Sequence, residues 1–176
     1  MKEMFSRFII NLYDDVPAYI YVLLIIVFIL CVAFFIILER DKSIKYSVWL
    51  LFVEYMFLLF CSTVLYRPLA EGTNYNFIPF WSYNSIIDGN SMLIAENIMN
   101  IIVFLPIGLL LPILFNGTNW WKGVLICGCI SVMIETMQLF FRRGFSEIDD
   151  IMHNMLGGMI GYGLYKLLVF SLRYVR

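Results

Sequence analysis

Residues 131–161 read SVMIETMQLFFRRGFSEIDDIMHNMLGGMIG. This stretch divides into a hydrophobic helix, a tight connection and a second hydrophobic helix. Ser131, Glu135, Gln138 and Arg142 follow steps of four, three and four, and so do Asp150, Asn154, Gly157 and Gly161. Such steps put each set along one face of its helix. The remaining positions are almost all apolar, so the two polar stripes are expected to face each other or a shared cavity.

The rest of the chain has the same character. Hydrophobic residues make up 62% of its 176 positions and charged residues 14%, where a soluble globular domain has roughly 25% charged. Mean hydropathy is +0.86, and several apolar runs approach the ~20 residues that span a bilayer as a helix. The expected fold class is all-α, a polytopic membrane helix bundle with about five transmembrane helices and a short amino-terminal interfacial helix. No gap between runs is long enough to fold alone. The net charge is −1 and no basic patch exists, which argues against a nucleic-acid partner. Cys31, Cys61, Cys127 and Cys129 lie inside apolar runs and read as small hydrophobes, not disulfides. Cys127-Gly-Cys129 has the wrong spacing and setting for a zinc or redox pair.

Two units are expected, 1–45 and 46–170. In the first, Met4, Phe5, Phe8, Ile9 and Leu12 share a face opposite Lys2, Glu3, Ser6 and Arg7, the pattern of a helix lying in the interface. A charge-free span from Val16 to Leu38 follows, too long for a signal-peptide core and expected to be retained. The second unit holds spans over 46–66, 96–115, 121–141 and 148–169. Glu54 lies inside the first of these, turned inward or close enough to the interface to reach water. The 66–95 connection is rich in Pro, Gly and aromatics, which favours a loop packed on the bundle or dipping into the interface. Pro106 is expected to kink the 96–115 span. With the amino terminus outside, seven Lys and Arg fall on the inner side and five on the outer, a weak positive-inside preference.

Antiparallel spans bring the 66–95 loop and the 142–147 connection to one side of the membrane. Arg67, Asn76, Asn97, Asn100, Glu135, Gln138, Arg142, Asp149, Asp150 and Asn154 gather there and form the candidate ligand-binding set. Glu135 lies about six residues, roughly 9 Å, inside its span. An ionisable group at that depth is a functional candidate, with Gln138, Asn154 or an arginine as expected partner. Ser146, Glu147 and Asp149 also suit ordinary capping of the final helix. Arg142 or Arg143 paired with Asp149 or Asp150 would be a plain hairpin clasp. A lone His153 is weak as a metal ligand. Glu135, Asp149, Asp150, Asn100 and Asn154 would suit a hard divalent ion, although no tight carboxylate motif demands one and no cofactor is expected. No P-loop, GxSxG, HExxH or EF-hand sequence occurs.

Four linked motifs resemble the VanZ-like family: Asn76-Phe-Ile-Pro79-Phe80; Asn97-x-x-Asn100-x-x-x-Phe104-x-Pro106-x-Gly108; Ser131-x-x-x-Glu135-x-x-Gln138; and Asp149-Asp150-x-x-x-Asn154-x-x-Gly157-Gly158-x-x-Gly161. They cover roughly residues 50–168 in the family's order. Met155 stands where the family commonly has Thr. The resemblance implies a bacterial multi-pass protein of the cytoplasmic membrane, in a family whose namesake is associated with resistance to the glycopeptide teicoplanin. The first functional expectation is an envelope protein binding a polar or anionic, cell-wall or lipid-linked ligand in an outward-facing pocket. The alternatives are an enzyme on a lipid-linked phosphate, an ion-coupled transporter, and a scaffold for a membrane-protein partner built on Gly157-x-x-x-Gly161.

Overall fold

The computed structural model describes residues 43–174. The expected interfacial helix and first span lie outside the described residues. Helix α1 runs Ser43–Phe60 and continues through a widened π-helical turn, Cys61–Leu65. Strand β1 (Tyr75–Asn76) and helix α2 (Trp81–Ile87) follow, then α3 (Met92–Leu114), α4 (Trp120–Phe141), β2 (Ser146–Glu147) and α5 (Ile148–Tyr174).

Three of these segments are long and apolar enough to cross a membrane: Lys45–Leu65, Met92–Leu114 and Trp120–Phe141. Helix α5 has 27 residues but a lower hydropathy, because its first two turns carry Asp149, Asp150, His153 and Asn154. All four are buried, so their polarity faces neighbouring helices. The outer surface is the reverse. Val53, Phe57, Leu125, Phe140, Leu167 and Phe170 are exposed, as lipid-facing side chains are. Apolar patches of that extent on a water-soluble monomer would aggregate.

The centre of the bundle is the contact between α3 and α5, which run parallel. A Cβ at Gly157 would collide with the carbonyl of Ile101, one at Gly161 with the carbonyl of Leu105, and one at Gly108 with the carbonyl of Gly158. Helix backbone touches helix backbone there, which only glycine permits. Lipid tails are as apolar as leucine, so close van der Waals approach replaces the hydrophobic effect as the force joining helices. Helix α4 closes the other side of α5, with Cys127 against Gly158. Leu59, Val64, Phe104, Ile107, Leu111, Cys127 and Ile134 form the core around these contacts. Helix α3 continues through Pro106 and Pro112 as one helix.

The two connections at the polar end are knitted together, which the sequence did not suggest. β1 pairs with β2 in parallel, Tyr75 opposite Ser146 and Asn76 opposite Glu147. Leu69 bridges Arg143 in antiparallel fashion. Helix α4 ends with Arg142 in the left-handed region (φ 53°), while the Arg143 amide returns to the Gln138 carbonyl at 2.9 Å. That is a Schellman-type stop with arginine where glycine is usual.

The glycine contacts predict a position-specific response to added methyl groups. Gly157→Ala is expected to lower stability by about 1–3 kcal/mol, as overpacking does. Gly163→Ala, where nothing lies within 4 Å of the new Cβ, is expected to cause no loss. Thermal unfolding of the two variants in detergent compares them directly.

Candidate functional site

The polar end holds two kinds of carboxylate. The first kind is bonded to backbone. Asp149, fully buried, accepts from the amides of Phe80 (2.6 Å) and Ser82 (3.0 Å) and from the Ser82 hydroxyl (2.7 Å). It therefore caps α2 from another helix, and Phe80 sits in the left-handed region (φ 63°) at that junction. Glu135 of α4 accepts from the amide of Glu147 at 2.9 Å and is also bonded by the Ser146 side chain. It ties the end of α4 to the start of α5. Glu147 accepts from the indole N–H of Trp81 at 2.9 Å.

The second kind faces a cavity. A space of about 40 Å³ is enclosed by Leu59, Ser62, Thr63 and Arg67 after α1, by Glu96, Met99, Asn100, Val103 and Phe104 on α3, by Ile134, Glu135 and Gln138 on α4, and by Asp150 and Asn154 on α5. The widened turn of α1 shapes one wall. Ser62 and Thr63 hydroxyls donate back to the Leu59 carbonyl at 3.0 and 2.7 Å, a habit that bends helices. The Gln138 side-chain amide donates to the Thr63 carbonyl at 2.9 Å. Asn154 donates to Ser131 Oγ at 2.8 Å. Among the described residues, three buried polar atoms on the wall have no partner: Asn100 Nδ2, Gln138 Oε1 and Asp150 Oδ1. Buried polar groups are nearly always bonded, so three orphans around one void mark it as a place for water or a ligand. The void exceeds the roughly 10–15 Å³ that a cavity needs to hold a water.

Six of the ten residues singled out from sequence line this cavity: Arg67, Asn100, Glu135, Gln138, Asp150 and Asn154. The other four lie elsewhere. Asn76 turns back on its own loop, accepting from the Ile78 amide at 3.0 Å. Asn97 donates to Ser82 Oγ at 3.3 Å, because it lies on the α3 face toward α2. Arg142 is exposed and donates to the Gly72 carbonyl at 3.0 Å. Asp149 is the α2 cap. The expected arginine–aspartate clasp is also replaced. Arg143 donates to the carbonyls of Leu65 and Arg67, both at 2.9 Å. His153 meets the Tyr83 hydroxyl at 2.8 Å. Glu54 is half-buried, with one carboxylate oxygen unpartnered among the described residues. Among the described residues, no three His, Cys, Asp or Glu side chains gather as a metal site requires.

Two residues escaped the sequence reading. Glu96 lines the cavity at helical spacing from Asn100 and Val103, a signal present in the sequence but hidden by its place at the end of an apolar run. Asn74, buried, donates weakly to the Gln138 and Leu139 carbonyls, at 3.4 Å each, and its own carbonyl accepts from the Ser146 amide at 2.8 Å.

Burial pushes the Glu147 carboxyl up to about 8, the negative charges of Glu96, Glu135 and Asp149 push the same way, and the Trp81 bond opposes them. Glu147 lies in the connection before α5, outside the apolar segments.

The family model described as VanZ/LLP1 matches residues 18–169. Protein VanZ of Enterococcus faecium is 35% identical over 72 residues, 41% of this chain. The match spans 45% of that relative, less than half its length. No solved structure matches the chain.

Two predictions follow from the carboxylates. Asp149→Ala should leave the Phe80 and Ser82 donors without their acceptor, at about 1–3 kcal/mol for each donor left buried and unpaired. Residues 77–87 would then exchange amide hydrogens faster than the rest of the loop. For Glu147, the unfolded chain loses its proton near 4.5 whereas the folded chain keeps it to about 8. Folding therefore binds a proton between those values, and stability falls as pH rises through that window. Glu147→Gln should reduce that slope by about one proton, read from thermal unfolding across the pH range.

Proposed function

The chain belongs to the VanZ/LLP1 family, and on that premise we propose a multi-pass protein of the bacterial cytoplasmic membrane that binds a polar group of an envelope ligand and contributes to teicoplanin-type resistance. The observation that carries the ligand reading is the cavity between α1, α3, α4 and α5, with three unpartnered polar atoms on its wall. A polar group inside a membrane bundle is costly to keep without a partner. A ligand that bonded all three would recover that cost.

The proposed opening is toward the outer leaflet. Among the described residues, the cavity end of the bundle carries Arg67, Arg142 and Arg143, and the opposite end Lys45, Lys122, Lys166 and Arg173. The positive-inside tendency leans, by four to three, toward the opposite end being inside. Two of the three arginines are occupied with loop carbonyls, so their charge has a structural use at that end.

The wall chemistry narrows the ligand. Glu96, Glu135 and Asp150 share the wall with Arg67 alone, so acidic side chains outnumber the basic one and acceptors outnumber donors. That favours a neutral or cationic group over the anionic one. A transporter would need a polar path from both ends, and the cavity lies at one end only. An enzyme reading requires a substrate atom near Glu135 or Asp150, for which no observation speaks specifically.

Glu135→Gln and Asn154→Ala are expected to abolish the resistance contributed by the expressed protein while it still inserts in the membrane. Teicoplanin susceptibility of cells carrying each variant, with membrane abundance measured in parallel, decides the matter. Unchanged resistance in both well-expressed variants would retire the proposal.

A further inference from the structure

The donors and acceptors on the cavity wall say what kind of group it takes. The Gln138 amide is pinned, because its Nε2 donates to the Thr63 carbonyl. Its Oε1 therefore faces the cavity as an acceptor, unpartnered and only 4% exposed. Asp150 Oδ1, on another helix, is likewise unpartnered in a side chain 9% exposed. Asn154, also on the wall, spends its Nδ2 on Ser131. Acceptors thus converge from α4 and α5, while the donors are Arg67 and Asn100 Nδ2.

We propose that this cavity binds a primary ammonium group carried beside an oxygen atom, the chemistry shared by amino-alcohol headgroups and amino acids. The ammonium presents three N–H donors on a compact centre and meets Gln138 Oε1, Asp150 Oδ1 and Asn154 Oδ1. The neighbouring oxygen accepts from Asn100 and Arg67. Three acidic side chains and one guanidinium line the wall, a set richer in acceptors than in donors. A phosphate wants many donors and finds two residues that supply them. A hard divalent cation wants six or more oxygens, and among the described residues no three His, Cys, Asp or Glu side chains come close enough together to hold one. The small void accepts the amino end of a molecule, with the remainder outside. This proposal rests on the cavity being a ligand site, and it specifies the ligand's class.

The test uses the full chain purified in detergent. Thermal unfolding is followed during titration with ethanolamine, ethylamine, inorganic phosphate and sodium chloride at matched ionic strength. Ethanolamine should raise Tm saturably, ethylamine should bind more weakly for want of the oxygen, and phosphate and sodium should give no saturable shift. Asp150→Asn and Gln138→Leu should each weaken the ethanolamine response at least tenfold. A saturable shift with phosphate or sodium but not with ethanolamine would overturn the proposal, and so would an ethanolamine shift undiminished in both variants. The selectivity of the unaltered protein decides the matter even where a variant fails to fold. Native mass spectrometry from nanodiscs of phosphatidylethanolamine or phosphatidylglycerol then identifies the source. Retention of the former alone assigns the site to a lipid headgroup, and binding of ethanolamine without retained lipid assigns it to a soluble amine; either outcome supports the ammonium chemistry. Loss of resistance in Glu135→Gln with no amine binding would refute this inference and leave the resistance proposal standing. Amine binding with unchanged resistance would do the opposite.

Discussion

Two carboxylates that end on backbone amides hold the polar end of this protein together. Glu135 reaches from α4 to the Glu147 amide, and Asp149 reaches from the start of α5 to Phe80 and Ser82. In each case a negative group lies where unpaired N–H donors cluster before a helix. Charge-assisted bonds of that kind are among the stronger ones a protein can form. They also solve a problem particular to the bilayer boundary, where an unbonded N–H has little water to turn to. Through them the 66–91 loop and the 142–147 connection become one platform, with β1 and β2 paired within it.

The glycine contacts set where that platform can stand. Gly157 and Gly161 bring α5 against the α3 backbone, so the first turns of both helices arrive close together at the polar end. Asp150 and Asn154 then face Asn100 across a short gap. Larger residues at 157 and 161 would widen the gap and admit lipid or bulk water. Close packing in the apolar half and the narrow cavity in the polar half have the same geometric origin.

Much of this was legible from residue spacing. Of the five spans expected from the apolar runs, the four within the described residues are helices, and the steps of four and three in residues 131–161 put Glu135, Gln138, Asp150 and Asn154 on facing stripes. The rest depended on partners that spacing does not encode. Asn97 and Asn100 are both polar and three residues apart, yet Asn97 turns to Ser82 while Asn100 faces the cavity. The choice is made by α2, a seven-residue helix in a loop whose Pro and Gly content conceals it. Asp149 and Asp150 are adjacent and point to different faces, so one became a cap and the other a cavity wall. Arg142 looked like a ligand from its charge and took the end of a helix instead. Strand pairing of two residues with two is too short to leave any periodic signal.

The division among the polar residues also separates folding from function. Asp149 would be missed by the fold at once, since three donors depend on it. Gln138 Oε1 and Asp150 Oδ1 bond nothing, and leaving a polar atom buried and unpaired works against stability. An apolar side chain of similar size at position 150 would remove that penalty without breaking a bond the structure records there. Replacing buried polar or ionic groups with well-packed apolar ones is often neutral or stabilising. Asp150 Oδ1 and Gln138 Oε1 are therefore not explained by what holds the bundle together, unlike the bonded Glu135 and Asn154 on the same wall. The two unbonded oxygens are explained if another molecule supplies the missing donors, and the excess of acceptors over donors indicates the charge that molecule carries.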